Sequence, residues 1–375
     1  MPTPTRRPPF RADHVGSLLR PATLRQAREA FERGALSRAA LTEIEDAAIR
    51  EVVALQQDAG LSAVTDGEFR RREWHMDFLK QFANVRQVPS SIKIRFHTHE
   101  GDTDVAPPGL KVEGKLDRPH GIFVDHFKFV KAVATAMPKQ TIPSPTILHF
   151  RGGRAAVDQT AYPEMGAFFA DLARVYSEEI ADLAGAGCRY LQIDETNFAY
   201  LCDPALRQQV RTNIGEDPDT LPSTYAKLIN GAIAKRPADM AVCVHICRGN
   251  NQSAWLAEGG YEPVAEVLFN EMAVDGYFLE YDTPRAGDFA PLRFVPKGKR
   301  IVLGLVTTKL PALESKDELK RRIDEAAKYV PIDQLALSPQ CGFSSTIEGN
   351  KVTVADQVAK LRLVVEVARE VWGEA

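Results

Sequence analysis

His245-Ile246-Cys247, Glu280 and Cys341 bring an imidazole, two thiols and a carboxylate into one chain of 375 residues. Those are the ligand types that a tetrahedral zinc ion takes. Each ends or follows a short apolar run that reads as a buried strand: Met240-Ala241-Val242-Cys243-Val244, Gly276-Tyr277-Phe278-Leu279 and Gln334-Leu335-Ala336-Leu337. In an extended segment residues i and i+2 face the same way, roughly 6.5 Å apart, so His245 and Cys247 can reach one ion. Ligands delivered from the ends of successive strands predict a metal in an active site. A small structural zinc module would hold its cysteines in a tight C-x-x-C knuckle, and the chain has none. Taken singly, each residue has a plainer reading, because a buried free cysteine is usually a small hydrophobe and a lone histidine on an apolar strand is usually core. Cys188 and Cys243 read as such core residues, Cys243 sharing the face of His245 but lying two residues deeper.

Strand-like runs occur near residues 10–15, 61–65, 141–148, 189–193, 240–246, 276–280, 300–306 and 334–338. Between them lie amphipathic stretches at 22–32, 38–60, 160–187, 222–236, 261–272, 316–329 and 353–372. Strands alternating with helices predict parallel βα units, and eight strands close a TIM (β/α)8 barrel. An open doubly wound sheet is the rival, but no G-x-G-x-x-G follows the first strand. The expected organisation is one catalytic domain over 1–375, with a flexible Pro-rich arm at 1–9. An insertion at about 84–126 follows the second βα unit. Period-two alternation in Ile92-Lys93-Ile94-Arg95-Phe96-His97 and in Leu110-Lys111-Val112-Glu113-Gly114-Lys115-Leu116 predicts that it is a β-hairpin over or beside the barrel mouth.

Barrel chemistry sits at the C-terminal ends of the strands. Those ends carry His14-Val15-Gly16-Ser17, Asp66-Gly67-Glu68, Leu148-His149-Phe150-Arg151, Asp194-Glu195 and His245-Ile246-Cys247-Arg248 in the first five strands. The last three carry Glu280-Tyr281-Asp282, Thr307-Thr308-Lys309 and Ser338-Pro339-Gln340-Cys341-Gly342. Scaffold needs alone do not collect ionisable groups at one end of every strand.

Composition narrows the setting. Apolar residues at 44% and charged residues at 26% are ordinary for a globular protein. A net charge of -3 leaves no footprint for nucleic acid or an anionic membrane. The apolar runs fall short of the roughly 20 residues that cross a bilayer, and the N-terminus lacks the apolar stretch of a secretion signal. Five sparse cysteines argue against a disulfide framework and place the protein in the cytoplasm.

His245-Ile246-Cys247, Phe278-Leu279-Glu280-Tyr281 and Ser338-Pro339-Gln340-Cys341-Gly342 resemble the zinc motifs of cobalamin-independent methionine synthase. The likeness extends to His14-Val15-Gly16-Ser17, Gly67-Glu68 and Leu191-Gln192-Ile193-Asp194-Glu195, and covers nearly the whole chain. It covers only the catalytic barrel of the long enzyme, so the chain resembles the family's single-barrel branch. The resemblance implies a Zn2+ ion on His245, Cys247, Glu280 and Cys341, and methyl transfer from a 5-methyltetrahydrofolate-type donor to homocysteine, giving methionine. It also implies that Glu68 and Asp194 take the substrate ammonium while Ser17 and nearby backbone hold its carboxylate. The plainer reading of Glu68 and Asp194 is that they cap the helices that follow.

A thiol with pKa near 8.5 is mostly protonated at neutral pH, and metal binding makes it the nucleophilic thiolate. Two thiolate ligands keep electron density high on the metal, which suits alkyl transfer to sulfur better than hydrolysis. Catalytic zinc keeps an open position, so one ligand must leave when the thiol arrives; Glu280, the hard oxygen in a soft set, is the expected one. A methyl on nitrogen leaves well only when that nitrogen is protonated, so a general acid is needed. Where the long enzyme has a histidine after strand seven, this chain has Lys309; where it has a tryptophan near the pterin, this chain has Phe150.

Other motifs read more simply. His97-Thr98-His99-Glu100 has metal-like spacing without a third ligand and reads as a solvated strand face. Arg151-Gly152-Gly153-Arg154 suits a phosphate or polyglutamate tail as well as it suits a basic loop. Lys316–Arg322 reads as the polar face of a helix. The competing functions are alkylation of another thiol, such as opening of an epoxide by coenzyme M, a zinc hydrolase, and a barrel with purely structural zinc. Two acids at Glu68 and Asp194 favour an amino-acid thiol over a sulfonate.

Overall fold

The computed structural model describes residues 7–89, 94–98, 101–106 and 108–375. Its strands in chain order are β1 (Ala63–Val64), β2 (Ala83–Val88), β3 (Ile94–Thr98), β4 (Gly101–Val105), β5 (Gly109–Asp117) and β6 (Met137–Pro138). There follow β7 (Gln140–Pro143), β8 (Tyr190–Glu195), β9 (Ala241–Ile246), β10 (Gly276–Glu280), β11 (Arg300–Val306) and β12 (Leu335–Pro339). β7 to β12 form one parallel sheet in sequential order. Their residues are almost all buried, as parallel strands covered on both faces require.

Two further pieces extend this sheet. β6 runs into β7 through Lys139 and pairs in parallel with β1. At the other end Ala12 forms a parallel bridge with Leu337 of β12, with Asp13 N donating to Leu337 O at 3.0 Å. Between the segment around Ala12 and β1 the link is a side-chain bond, Thr65 Oγ1 to Gly16 O at 2.6 Å, and Leu18 N to Gly67 O at 3.1 Å. The fold is α/β and TIM-barrel-like.

Helices Arg38–Asp58, Met165–Gly185, Leu221–Ile233, Glu262–Asn270, Lys316–Ala326 and Val354–Trp372 lie where hydrophobic periodicity predicted them. Their starts are chemically marked. Ser37 accepts from Ala40 N, Ser315 accepts from Glu318 N, and Thr353 with Asp356 makes a capping box. Among the described residues no helix is long and apolar enough to cross a membrane. A separate small cluster of Phe10, Val15, Ala63, Tyr190, Cys243, Phe278, Val302 and Ala336 packs among the strands, so Cys243 is core, as its depth predicted.

Three expectations need correction. The third strand was expected at 141–148, yet it occupies Met137–Pro138 and Gln140–Pro143, and Ile147–Phe150 is a helical turn. Pro143 and Pro145 cannot donate to a ladder, which stops the strand before Leu148. The insertion is not one hairpin of 92–97 with 110–116: β3 pairs with β4, while β2 pairs with β5. Alternation fixes which face a strand shows, not which partner it takes. The insertion also interrupts the second βα unit, since helix Val124–Val133 follows it and precedes β6.

Residues 1–6 of the expected arm, together with His99 and Glu100, lie outside the described residues. Pro9 is already buried, its carbonyl accepting from Arg300 Nη1. The insertion is stitched to the loop after β9: His97 N donates to Trp255 O at 2.7 Å and Trp255 N to His97 O at 2.9 Å.

Candidate active site

Parallel register brings the sequence-predicted ligands together. Asp194 of β8 lies beside His245 of β9, and His245 lies beside Phe278 of β10. Glu280 at the end of β10 pairs with Gly304 of β11. Cys341 must come in from just beyond β12, and Gly304 allows it: a Cβ there would stand 2.7 Å from Gln340 Cα. Ligand atoms of His245, Cys247, Glu280 and Cys341 all lie within 4.8 Å of one another, and all four residues are buried.

The donor set fits a cation. Neither ring nitrogen of His245 has a hydrogen-bond partner, a costly state for a buried imidazole unless something binds it. Cys247 Sγ stands 3.6 Å from Cys341 Sγ. Hydrogen bonding from Cys247 and the neighbouring His245 hold the Cys341 thiol well below its usual range, against the effect of burial. Cys247 is pushed well above it by the same partnership and by burial. The opposed shifts favour a single proton shared between the two sulfurs, which a metal would have to displace. Burial, then Cys341, raises the Glu280 carboxyl. Its Oε1 accepts from Arg248 N at 2.8 Å, and its Oε2 lies 3.4 Å from Arg285 Nη2. Arg285 also bonds Asp282 Oδ1 at 2.7 Å.

A cavity of about 290 Å³ opens beside this cluster, and Ser17, Glu68, Asp194, His245, Cys247 and Cys341 all border it. Ser17 and Gly342 are in intimate contact, since a Cβ on Gly342 would fall 1.9 Å from Ser17 Oγ. Glu68 has φ +64°, an uncommon conformation for a residue with a side chain and one that clusters at functional sites. Its Oε1 receives Arg71 Nη1 at 3.1 Å and Thr141 Oγ1 at 2.9 Å, while its buried Oε2 has no partner. Burial raises the Glu68 carboxyl despite Arg71 and Arg20. Asp194 is pushed up to about 7 by burial and by the nearby charge of Glu68. Neither acid caps a helix: the Asn197 amide after β8 is taken by Glu195 Oε1.

Lys309 and Phe150 sit elsewhere. Lys309 Nζ is held by Asn250 Oδ1 at 3.1 Å, Ala254 O at 3.2 Å and Gly249 O at 3.4 Å, and the residue does not border the cavity. Phe150 packs near Tyr200 and Tyr225 and borders a neighbouring cavity of about 700 Å³. Arg151 borders both cavities, whereas Arg154 is occupied with Tyr162 O at 2.6 Å.

Sequence reasoning missed several contributors. Arg20, buried, staples the loop after β1 to the loop after Cys341. Its guanidinium bonds Glu68 O at 2.9 Å, Arg71 O at 3.1 Å and Ser344 O at 2.8 Å. Arg248 is fully buried over the Tyr261 ring, 4.4 Å from its centroid. Trp74 and His75 border the cavity from the loop after β1. Their signal in the sequence is the Trp-His pair seven residues beyond Gly67, which a reading confined to strand ends passes over.

Comparison with known proteins adds relatives to this geometry. The family model described as the catalytic domain of cobalamin-independent synthase matches residues 10–370. The uncharacterized protein YxjH of Bacillus subtilis (strain 168) is 46% identical over 369 residues, covering 98% of this chain and 96% of the relative. The 5-methyltetrahydropteroyltriglutamate–homocysteine methyltransferase of Lactococcus lactis subsp. cremoris (strain SK11) is 23% identical over 370 residues, 96% of this chain but 43% of that protein. A Listeria monocytogenes structure provisionally named a vitamin-B12-independent methionine synthase is 38% identical with TM-score 0.78, covering 98% of this chain and 100% of its own. A B12-independent methionine synthase from Shewanella sp. W3-18-1, solved with selenomethionine, shares the fold at 20% identity and TM-score 0.70, covering 96% and 97%.

Proposed function

Because the chain belongs to the cobalamin-independent synthase catalytic-domain family, we propose that it is a zinc-dependent methyltransferase making methionine from homocysteine and a 5-methyltetrahydrofolate-type donor. The family makes it a methyltransferase of the methionine synthase type. The observation that carries the finer reading is the shared cavity: a two-cysteine ligand set borders the same space as Ser17, Glu68 and Asp194. We read the sheet as a closed (β/α)8 barrel in one domain over 1–375, with the segment around Ala12 and β1 completing the circle.

In this reading His245, Cys247, Glu280 and Cys341 hold the zinc ion, which when bound lowers the pKa of a substrate thiol. Glu68 Oε2, buried and unpartnered, and Asp194 face one ammonium group between them. Ser17 and the Gly342 backbone fit the carboxylate end. Glu280 is the ligand able to move aside, because Arg285 and the Arg248 amide already stand ready to receive its carboxylate. The insertion lines one side of the cavity with Ile94, Phe96 and Pro108, apolar groups that would disfavour water near the reacting sulfur. Five unpaired buried cysteines fit a cytoplasmic setting.

Two carboxylates in the cradle argue against a sulfonate thiol such as coenzyme M. The test is proton release when zinc-loaded protein meets a panel of thiols. Homocysteine should release about one proton per zinc, and Cys341→Ala should abolish it. Silence with homocysteine and a response to another thiol would sink the methionine assignment.

A further inference from the structure

Neither the metal cluster nor the amino-acid cradle uses His75. It is buried, and among the described residues no group pairs with either of its ring nitrogens. An orphaned imidazole costs stability unless a ligand uses it. This one borders the cavity that also holds His245, Cys247 and Cys341. Among the described residues His75 and His245 are the histidines on that cavity wall, and His245 belongs to the ligand set.

The ring is held in place. The His75 carbonyl starts the short helix Met76–Leu79 by accepting from Phe78 N at 3.2 Å and Leu79 N at 3.0 Å. Asp77 Oδ2 accepts from Arg72 N at 2.6 Å and Glu73 N at 2.9 Å. Glu73 in turn bridges to Thr346, in the loop that follows Cys341. Trp74 lies against the imidazole with centroids 4.6 Å apart and also borders the cavity, offering an aromatic face to a flat ring.

We infer that His75 delivers the proton to the leaving nitrogen of an N-methyl donor bound in this cavity, with Trp74 as the surface on which that donor's ring lies. The inference rests on the methyl-transfer reading of the site. The step balances simply. A lone pair on the substrate sulfur forms the new S–CH₃ bond as the C–N bond breaks. The C–N electron pair stays on nitrogen, which takes the imidazolium proton of His75 and leaves as a secondary amine. Water then returns a proton to the neutral imidazole. Lys309 does not compete for this role, since it does not border the cavity and its ammonium is spent on three protein oxygens.

The electrostatics around His75 are mixed. Burial, Arg151 and Lys80 hold its pKa well below the usual value. The same cavity carries Glu68, Glu73, Asp194 and Glu348, with Arg72 beside them. The imidazolium is thus a strong acid when formed, and its loaded fraction grows as pH falls.

The experiment uses the zinc-loaded full chain with homocysteine and two methyl sources: 5-methyltetrahydrofolate, whose nitrogen needs a proton, and methyl iodide, whose iodide does not. His75→Gln and His75→Asn should lose on the order of 100-fold or more in turnover with the folate, the scale of general-acid catalysis. They should also lose the rise in turnover toward acid pH. Methyl iodide alkylation and proton release on homocysteine binding should stay at wild-type levels. Wild-type folate turnover in the variants overturns the inference, as does an equal loss with methyl iodide. So does a wild-type protein that binds homocysteine with proton release yet makes no methionine from the folate. Failure of wild-type protein to release a proton with homocysteine is a different result: it removes the underlying methyl-transfer reading and this inference with it.

Discussion

Cys247 Sγ and Cys341 Sγ stand 3.6 Å apart across 94 residues of sequence, close enough to share a proton and well beyond the roughly 2.05 Å of a disulfide. Their proton affinities are pushed apart, Cys341 well below and Cys247 well above the usual thiol range, with His245 and Glu280 completing the cluster. Metal binding must therefore expel the proton that Cys247 keeps. Zinc added to metal-free protein near pH 7 should release at least about one proton, and zinc affinity should fall as pH is lowered. Cys341→Ser should weaken zinc by more than about 100-fold, beyond what loss of a supporting partner costs. Competition with a chromogenic chelator measures both, and unchanged affinity in the variant would remove Cys341 from the ligand set.

Asp194 titrates near 7 because burial and Glu68 disfavour its charge, whereas an unfolded chain loses that proton near 3.9. Between those values the folded protein binds the extra proton, so stability from this residue declines as pH rises through that window. Asp194→Asn should flatten the decline, by no more than about 4 kcal/mol at pH 8, for roughly three pKa units at 1.36 kcal/mol each. Urea midpoints at pH 5 and pH 8 test this, and parallel declines in both proteins would refute it. The same titration sets substrate capture. Homocysteine affinity should weaken below about pH 7 as Asp194 becomes neutral, and this dependence should vanish in the variant.

Arg20 joins the two loops that carry Glu68 and the residues after Cys341. Arg20→Met leaves several buried carbonyls without their charged donor and should destabilise the fold by about 3 kcal/mol. It should also raise KM for homocysteine, because Glu68 loses its backbone anchor. Arg20→Lys should recover only part of the stability, since one ammonium cannot span both loops. A variant with wild-type stability and KM would show that the staple is dispensable.

Lys309 ties the end of β11 to the loop after β9. Lys309→Met should cost about 2–3 kcal/mol, since the Gly249 carbonyl and Asn250 Oδ1 lose their charged donor while the Ala254 carbonyl keeps only the Asn251 amide. The pH dependence of turnover should keep its shape. Loss of the acid-side rise in this variant, and not in His75→Gln, would transfer the proton-donor role to Lys309.

Much of the site was legible because it lies at strand ends. His245 lies in β9 and Cys247 one residue beyond its end, and an i, i+2 spacing along an extended segment places both on one face. Glu280 and Cys341 could be added because apolar runs announce parallel strands, whose C-terminal ends must converge. Phe150 was harder to place from sequence. The Pro143–Pro145 interruption moved it off the strand and toward the neighbouring cavity. His75 and Trp74 were invisible for a related reason: a loop's path over the barrel end is set by contacts such as Glu73 with Thr346, which have no period in the sequence.

The sequence by itself determined the family resemblance, the alternating α/β architecture and the identity of the four ligand-type residues, because local periodicity and spacing specify strands, faces and ends. Only the tertiary structure decided how those ends meet. Parallel register set Asp194 beside His245, a glycine at 304 let the chain bearing Cys341 approach, and the bridge of Ala12 to Leu337 brought the segment after it close enough to press Ser17 against Gly342. Burial then did what no sequence pattern encodes. It raised Asp194, split the protons of the two cysteines, and left His75 facing the cavity without a protein partner. Desolvation depends on everything that packs around a group, and that is a property of the folded chain alone.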